Sequence, residues 1–183
     1  MSARRYLSIR AGRFGDRPRE RRAVVKNWRD VRPQVLGVAR RGEELLVEYY
    51  EGPDEQFHRP LGGGIEFNES SAEAVVREFD EELGNAVEPG EVLGTIENQF
   101  RWDGESFHEL AVVRAVSFRD EAVYEREQLT VTETDGSRRP ATWERLESFD
   151  DETPLLPAGI ERLLQGEETH VVSPATDTES RSE

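Results

Sequence analysis

The 183-residue chain contains no cysteine. Disulfides, thiolate metal sites and a cysteine nucleophile are therefore excluded. Lysine is nearly absent as well: Lys26 is the single one, and every other basic residue is arginine. No apolar run approaches the ~18 residues of a membrane span. The first twenty residues, "MSARRYLSIRAGRFGDRPRE", are basic but lack the apolar core of a secretory signal. A cytoplasmic protein with no membrane partner is expected. No serine stands in an evident Ser-His-Asp setting, so covalent acyl chemistry has no visible apparatus. Internal repeats are also missing.

Negative charge is abundant. Asp and Glu number 39 against 24 basic residues, for a formal net charge of −15. An acid-rich, lysine-poor surface repels itself in dilute buffer and is screened in salt, and this composition is like that of proteins from salt-loving organisms. The imbalance is uneven. Residues 1–32 hold eleven basic and three acidic residues, which leaves 13 basic and 36 acidic residues for the remainder. A basic N-terminal extension on an acidic body has two uses: folding back onto that body, or gripping nucleic acid. Few aromatics are present in it to stack on bases, which favours the first.

Hydrophobic patterning divides the rest. "QVLGVA" and "ELLVEYY" around "RRGE" predict a hairpin, and "QFHRPL" a short extended piece before the three glycines at 62–64. Residues 70–83 predict a helix. Ser70 and Glu73 form an S-x-x-E capping box, Ala72, Val75, Val76, Phe79 and Leu83 share one face, and Gly84 is a stop. "EVLGTIENQFRW" and "FHELAVVRAVSF" predict two long strands joined through "DGES". "QLTVTET" and "RPATWERL" predict another pair, and "LPAGIERLLQ" a C-terminal helix. Residues 166–183 are polar and aperiodic and read as a disordered tail. Strands, helix, strands, helix suggest an α/β protein with a mixed sheet.

Within the first helix, "REFDEELG" at 77–84 places Glu78, Glu81 and Glu82 on one edge, with Asp80 turned away. Glu78 and Glu82 lie about 6 Å apart along the axis. Carboxylates at that separation repel by about 3 kcal/mol per pair at an effective dielectric of 20. A divalent cation reverses the sign, and oxygen-only ligands select a hard ion, Mg²⁺ or Mn²⁺.

The spacing around this turn is specific. Gly63, five residues, Glu69, seven residues and then Arg77-Glu78-Phe79-Asp80-Glu81-Glu82-Leu83-Gly84 resembles the signature box of the Nudix hydrolases, G-x5-E-x7-R-E-U-x-E-E-x-G-U, where U is bulky and apolar. Asn85 departs from the final U, and the expected effect is on packing. "RPLGGGIEF" and "ATWERLESF" are similar to flanking stretches of that family. The resemblance covers residues 33–165 and implies an α/β/α sandwich with a mixed sheet.

It also implies a metal-dependent pyrophosphohydrolase acting on a small nucleotide diphosphate, NDP-X. Carried over by position, Glu78, Glu81 and Glu82 bind metal and act in catalysis, the Gly63 carbonyl is a further ligand, and Glu69 and Arg77 orient the loop against the helix. Glu66 lies in the same loop. The general base does not transfer by position. Glu109 is the candidate, as "FHEL" opens a strand expected beside the helix, with Glu97 and Glu105 as alternatives. Arg59, Arg101 and His58 are candidate substrate contacts, and His108 is another. Trp28, Trp102 and Trp143 read as core residues or base-stacking ones. Two rival readings are a non-catalytic nucleotide sensor and an RNA-end-processing enzyme that uses the basic extension. The identity of X is not legible in any loop.

Overall fold

The computed structural model describes residues 31–52, 56–102, 105–133 and 135–173. Trp28, nearly all of the basic extension, the tail beyond residue 173 and the side chains of Trp102 and Glu105 lie outside that set. The elements run β1 (Arg32–Arg41), β2 (Glu44–Glu51), β3 (Gln56–Pro60), α1 (Ser71–Leu83), β4 (Val87–Trp102) and β5 (Glu105–Phe118). A 3-10 turn at Glu121–Glu125 leads to β6 (Gln128–Thr132) and β7 (Arg138–Arg145), then α2 (Ile160–Leu164) and β8 (His170–Val172).

The strands form one mixed sheet in the order β6-β7-β2-β1-β5-β4-β8, with β3 added to β2. Alternation along β1 builds a core on each face. Val35 and Ala39 join Val75 and Phe79 of α1 on one side, and Leu36 and Val38 join Ile160 and Leu163 of α2 on the other. This is the three-layer α/β/α sandwich.

The β1–β2 hairpin is only a tip. The two strands pair at Arg40–Leu45 and Arg41–Glu44. Beyond that, β1 runs parallel to β5 from Arg32 to Ala39, while β2 pairs with β3 from Val47 to Glu51. The sheet therefore splays into two halves, and the chain crosses the gap after β3. Leu61 and Gly63 carbonyls accept from the Gly37 and Val35 N–H groups, at 2.8 and 2.9 Å. The crossing needs Gly62, which has φ +141° and whose Cβ would sit 2.1 Å from the Val35 carbonyl oxygen.

Helix α1 is capped as its sequence demands. Ser70 Oγ accepts from Glu73 N–H and Glu73 returns the bond to the Ser70 N–H. Ala74, not Ala72, completes the buried face with Val75 and Phe79. Gly84 ends the helix, and Asn85, the departure from the apolar pattern, donates to the Leu83 carbonyl at 2.8 Å. Two expectations are corrected at the C-terminus. Helix α2 is shorter than "LPAGIERLLQ" suggests, because residues 154–156 lie along β3, where His58 N–H donates to Pro154 and Leu156 N–H to His58. Residues 170–172 are not tail: they form β8, parallel to β4, with Val171 buried in the α2-side core.

Gly62→Ala is expected to cost about 1–3 kcal/mol or more, since it adds both a disfavoured φ and a backbone clash. Urea unfolding of the variant checks this, and an unchanged midpoint would remove the crossing constraint.

Candidate active site

The loop 62–69 is tied to α1 by one side chain. Arg77 uses all five of its N–H donors. Its Nε and Nη2 reach both Glu69 oxygens at 2.8 and 2.9 Å, and Nη2 also reaches the Gly64 carbonyl at 2.8 Å. Its Nη1 donates to Glu78 Oε1 at 2.8 Å and to Glu81 Oε2 at 3.3 Å. Glu69 further accepts from the Glu66 N–H at 2.9 Å. These bonds hold the Glu69 carboxyl down at about 2, with the Arg77 hydrogen bond the largest cause. Glu66 itself is exposed.

Opposite the loop, Glu78 packs where only glycine leaves room: a Cβ on Gly63 would lie 2.5 Å from its carboxylate. The Gly63 carbonyl already accepts from Val35 N–H, which leaves one lone pair. The three glutamates do not share one exposed edge. Glu81 is 50% exposed and Glu78 only 13%, and Glu82 has its Oε2 shut off from solvent without a hydrogen-bond partner.

Acting on Glu82 is a residue that sequence reasoning missed. Glu48 of β2 is 1% exposed, and it lies on the face of β2 that carries Leu46 into the α1-side core. Glu82 is pushed up to about 8, first by burial and then by the negative charges of Glu48 and Glu78, against the pull of Arg59 and Arg139. Glu48 is also raised, by burial, with Arg139 Nε 3.4 Å away. The one signal in the sequence was a charge at the centre of "ELLVEYY", a strand too apolar to face water. Its partners, Arg59 and Arg139, are brought in by β3 and β7.

Among the described residues, no three His, Asp or Glu side chains stand together at cation-binding distances. Glu78 and Glu81 instead turn to Arg77. The donor set nevertheless fits a hard divalent cation. Glu82 offers an unpartnered oxygen, Glu78 lies beside it, and mutual repulsion within the set asks for positive charge.

Next to this cluster the splay of the sheet opens a cleft of about 620 Å³. Arg32, Arg59, Arg101, Arg139 and Glu109 line it, with aromatic pairs on two walls. Phe100 stacks on Phe107 with centroids 5.0 Å apart, and Tyr50 on Phe57 at 4.7 Å. Arg59 and Arg101 are thus cleft residues. His58 is not: it alternates to the other face of β3 and packs between Tyr49 and Phe149, with centroids 5.2 and 5.3 Å away. His108 is half-buried opposite Gln99, Glu97 is at the surface beside His170, and Trp143 is core. Glu109 does not join the helix cluster. It is buried in the cleft wall, with Arg32 at 2.5 Å and Arg59 at 3.9 Å.

The family model of the NUDIX domain matches residues 30–164. A comparison with curated protein sequences found no match. Among solved structures, a MutT NUDIX hydrolase from Burkholderia pseudomallei is 27% identical, over 74% of this chain and 98% of that one, with a TM-score of 0.55. The E. coli ORF135 protein is 25% identical over 74% and 87%, with a TM-score of 0.51. The MutT protein of Methanosarcina mazei Go1 shares the fold at 17% identity over 75% and 93%, with a TM-score of 0.54. The chain belongs to the Nudix family, in its pyrophosphohydrolase class. No helix of the described residues is long and apolar enough to cross a membrane.

Two measurements test this geometry. Arg77 and Glu69 should show a coupling of ~0.5–3 kcal/mol in a double-mutant cycle on stability; strict additivity would dissolve the loop tie. Glu82 has a native pKa of about 8 against 4.5 when unfolded. Between those values the native state binds the extra proton, so stability of the metal-free protein should fall as pH rises through the window and level off above it. Unfolding in chelator across pH 4.5–8 reads this slope, and Glu82→Gln should flatten it.

Proposed function

We propose that the chain is a divalent-metal-dependent hydrolase that cleaves the pyrophosphate linkage of a nucleoside diphosphate derivative, NDP-X, by attack of water at phosphorus. The observation that carries this reading is the unpartnered Glu82 oxygen, set among Glu48 and Glu78 beside an arginine-lined cleft. Glu78, Glu81, Glu82 and the free lone pair of the Gly63 carbonyl would hold Mg²⁺ or Mn²⁺. Such an ion supplies polarisation of phosphoryl oxygens and a lowered pKa for bound water.

The remaining work falls to the protein. Arg77 and Glu69 keep the loop at a fixed distance from α1, which sets Gly63 against Glu78. Arg59 and Arg101 in the cleft offer forked donors to phosphate. Glu81, the most exposed of the three glutamates, has access to water and takes its proton. A water oxygen–phosphorus bond forms, the bond from that phosphorus to the bridging oxygen breaks, and the bridging oxygen leaves on the other phosphoryl group. His58 contributes through packing and not through substrate contact. The site of action is the cytoplasm, and the acidic surface suits high salt.

The test is hydrolysis of a panel of nucleoside diphosphate compounds in ¹⁸O-labelled water, with Mg²⁺ or Mn²⁺ and with excess chelator. Label is expected on a phosphate of one product, and activity should vanish in chelator. Label on a sugar hydroxyl would overturn the reaction; full activity in chelator would overturn the metal.

A further inference from the structure

Arg59 stands between two acidic groups. On β3 it is directly opposite Glu48 of β2, and such cross-strand partners have Cβ atoms about 5 Å apart. Glu82 also feels its charge. On the cleft side, its Nη2 is 3.9 Å from Glu109 Oε2. That is beyond hydrogen-bond range, and Nη2, closed to solvent, has no hydrogen-bond partner. The side chain as a whole is 23% exposed and lines the cleft.

Glu109 is the anchored member of the pair. Arg32 Nη2 donates to its Oε1 at 2.5 Å and Asn98 Nδ2 to its Oε2 at 3.5 Å. Arg32 is itself braced over the Phe107 ring, 4.8 Å from the centroid. Glu109 is therefore a fixed negative charge on the cleft side of a guanidinium whose other neighbours are Tyr50, Glu48 and Glu82. Without it, Arg59 would be drawn toward those two carboxylates, and its charge would occupy the place that a cation needs.

We propose that Glu109 is a positioning residue that holds Arg59 on the cleft side, keeping the exposed part of its guanidinium for a phosphoryl oxygen of the substrate and the Glu82 oxygen for the cation. The inference rests on the reading of the glutamate cluster as a divalent-cation site. It gives Glu109 a role other than general base: its oxygens are taken by Arg32 and Asn98.

The experiment measures Mn²⁺ affinity of the full chain without substrate, by electron paramagnetic resonance or calorimetry. Four proteins are compared: parent, Glu109→Gln, Arg59→Met and the double variant. Glu109→Gln keeps the shape and removes the charge. It should weaken Mn²⁺ binding about tenfold in the parent, a coupling of the size found within one ion-pair network. In the Arg59→Met background it should weaken binding hardly at all, as no guanidinium is left to release. Simple loss of one distant negative charge predicts the same drop in both backgrounds, and that result would overturn the proposal while leaving the cation site intact. No Mn²⁺ binding by the parent would overturn both. Circular dichroism verifies folding. If Glu109→Gln does not fold, Glu109→Asp, with a shorter reach, should give a smaller drop that again disappears with Arg59→Met.

Discussion

Everything at the glutamate helix depends on Arg77. Glu69, Glu78 and Glu81 converge on it, and the Gly64 carbonyl takes a further bond. A planar guanidinium can serve this many acceptors because its five donors point in fixed directions. A lysine could not, since its three donors radiate from one atom. The near absence of lysine in this chain is thus compatible with the site as well as with the surface. The loop that Arg77 ties down is the same loop that crosses between the two halves of the sheet. One side chain therefore links the helix, the crossing and the carboxylates.

The second constraint is a cost. A buried carboxylate without a partner is unfavourable by several kcal/mol when charged, and proteins meet that by protonation or by a counter-charge. Glu82 shows the effect, and Glu48 is also raised by burial even with Arg139 3.4 Å away. A fold selected for stability alone has no use for two such groups in proximity. Under the proposed function a bound cation would offset their cost, which makes the least satisfied atom in the cluster the most informative one.

Local structure was legible in the sequence wherever the cause is local. The capping box, the apolar face of α1, the Gly84 stop and the Arg77–Glu69 pair follow from residues no more than fourteen apart in sequence. The strand pairs β4–β5 and β6–β7 follow from alternation and turn residues. Glu48, Arg139 and the Tyr50–Phe57 wall of the cleft were not legible, because they meet only through β2–β3 and β2–β7 pairing. Glu109 was read in the right strand but assigned to the wrong neighbours. Alternation along β5 puts it on the face of Ala111 and Val113, in the α2-side core, while Val116 and Phe118 face α1. Strand β8 escaped because three residues are too few to show a period. His58 lies outside the cleft for a simpler reason: alternation puts residues 58 and 59 on opposite faces of β3, so one strand could not deliver both to it.

The splay also resolves an electrostatic problem. A site for a cation and a polyphosphate needs dense negative charge and dense positive charge within a few ångströms, and mixed at random the two would neutralise each other. Here the architecture divides most of them between elements, with Glu109, Asp151 and Glu152 as the acidic residues of the cleft lining. Helix α1 and β2 supply the carboxylates, while β1, β3, β4 and β7 supply Arg32, Arg59, Arg101 and Arg139 to the cleft. In a chain of net charge −15, an arginine-lined cleft focuses an attractive field for anions that the rest of the surface repels. The weak point of such a division is its boundary, where a single mobile guanidinium could cancel both sides. Arg59 is that boundary. The buried, doubly braced carboxylate of Glu109 is the counter-charge that fixes the side on which it stays.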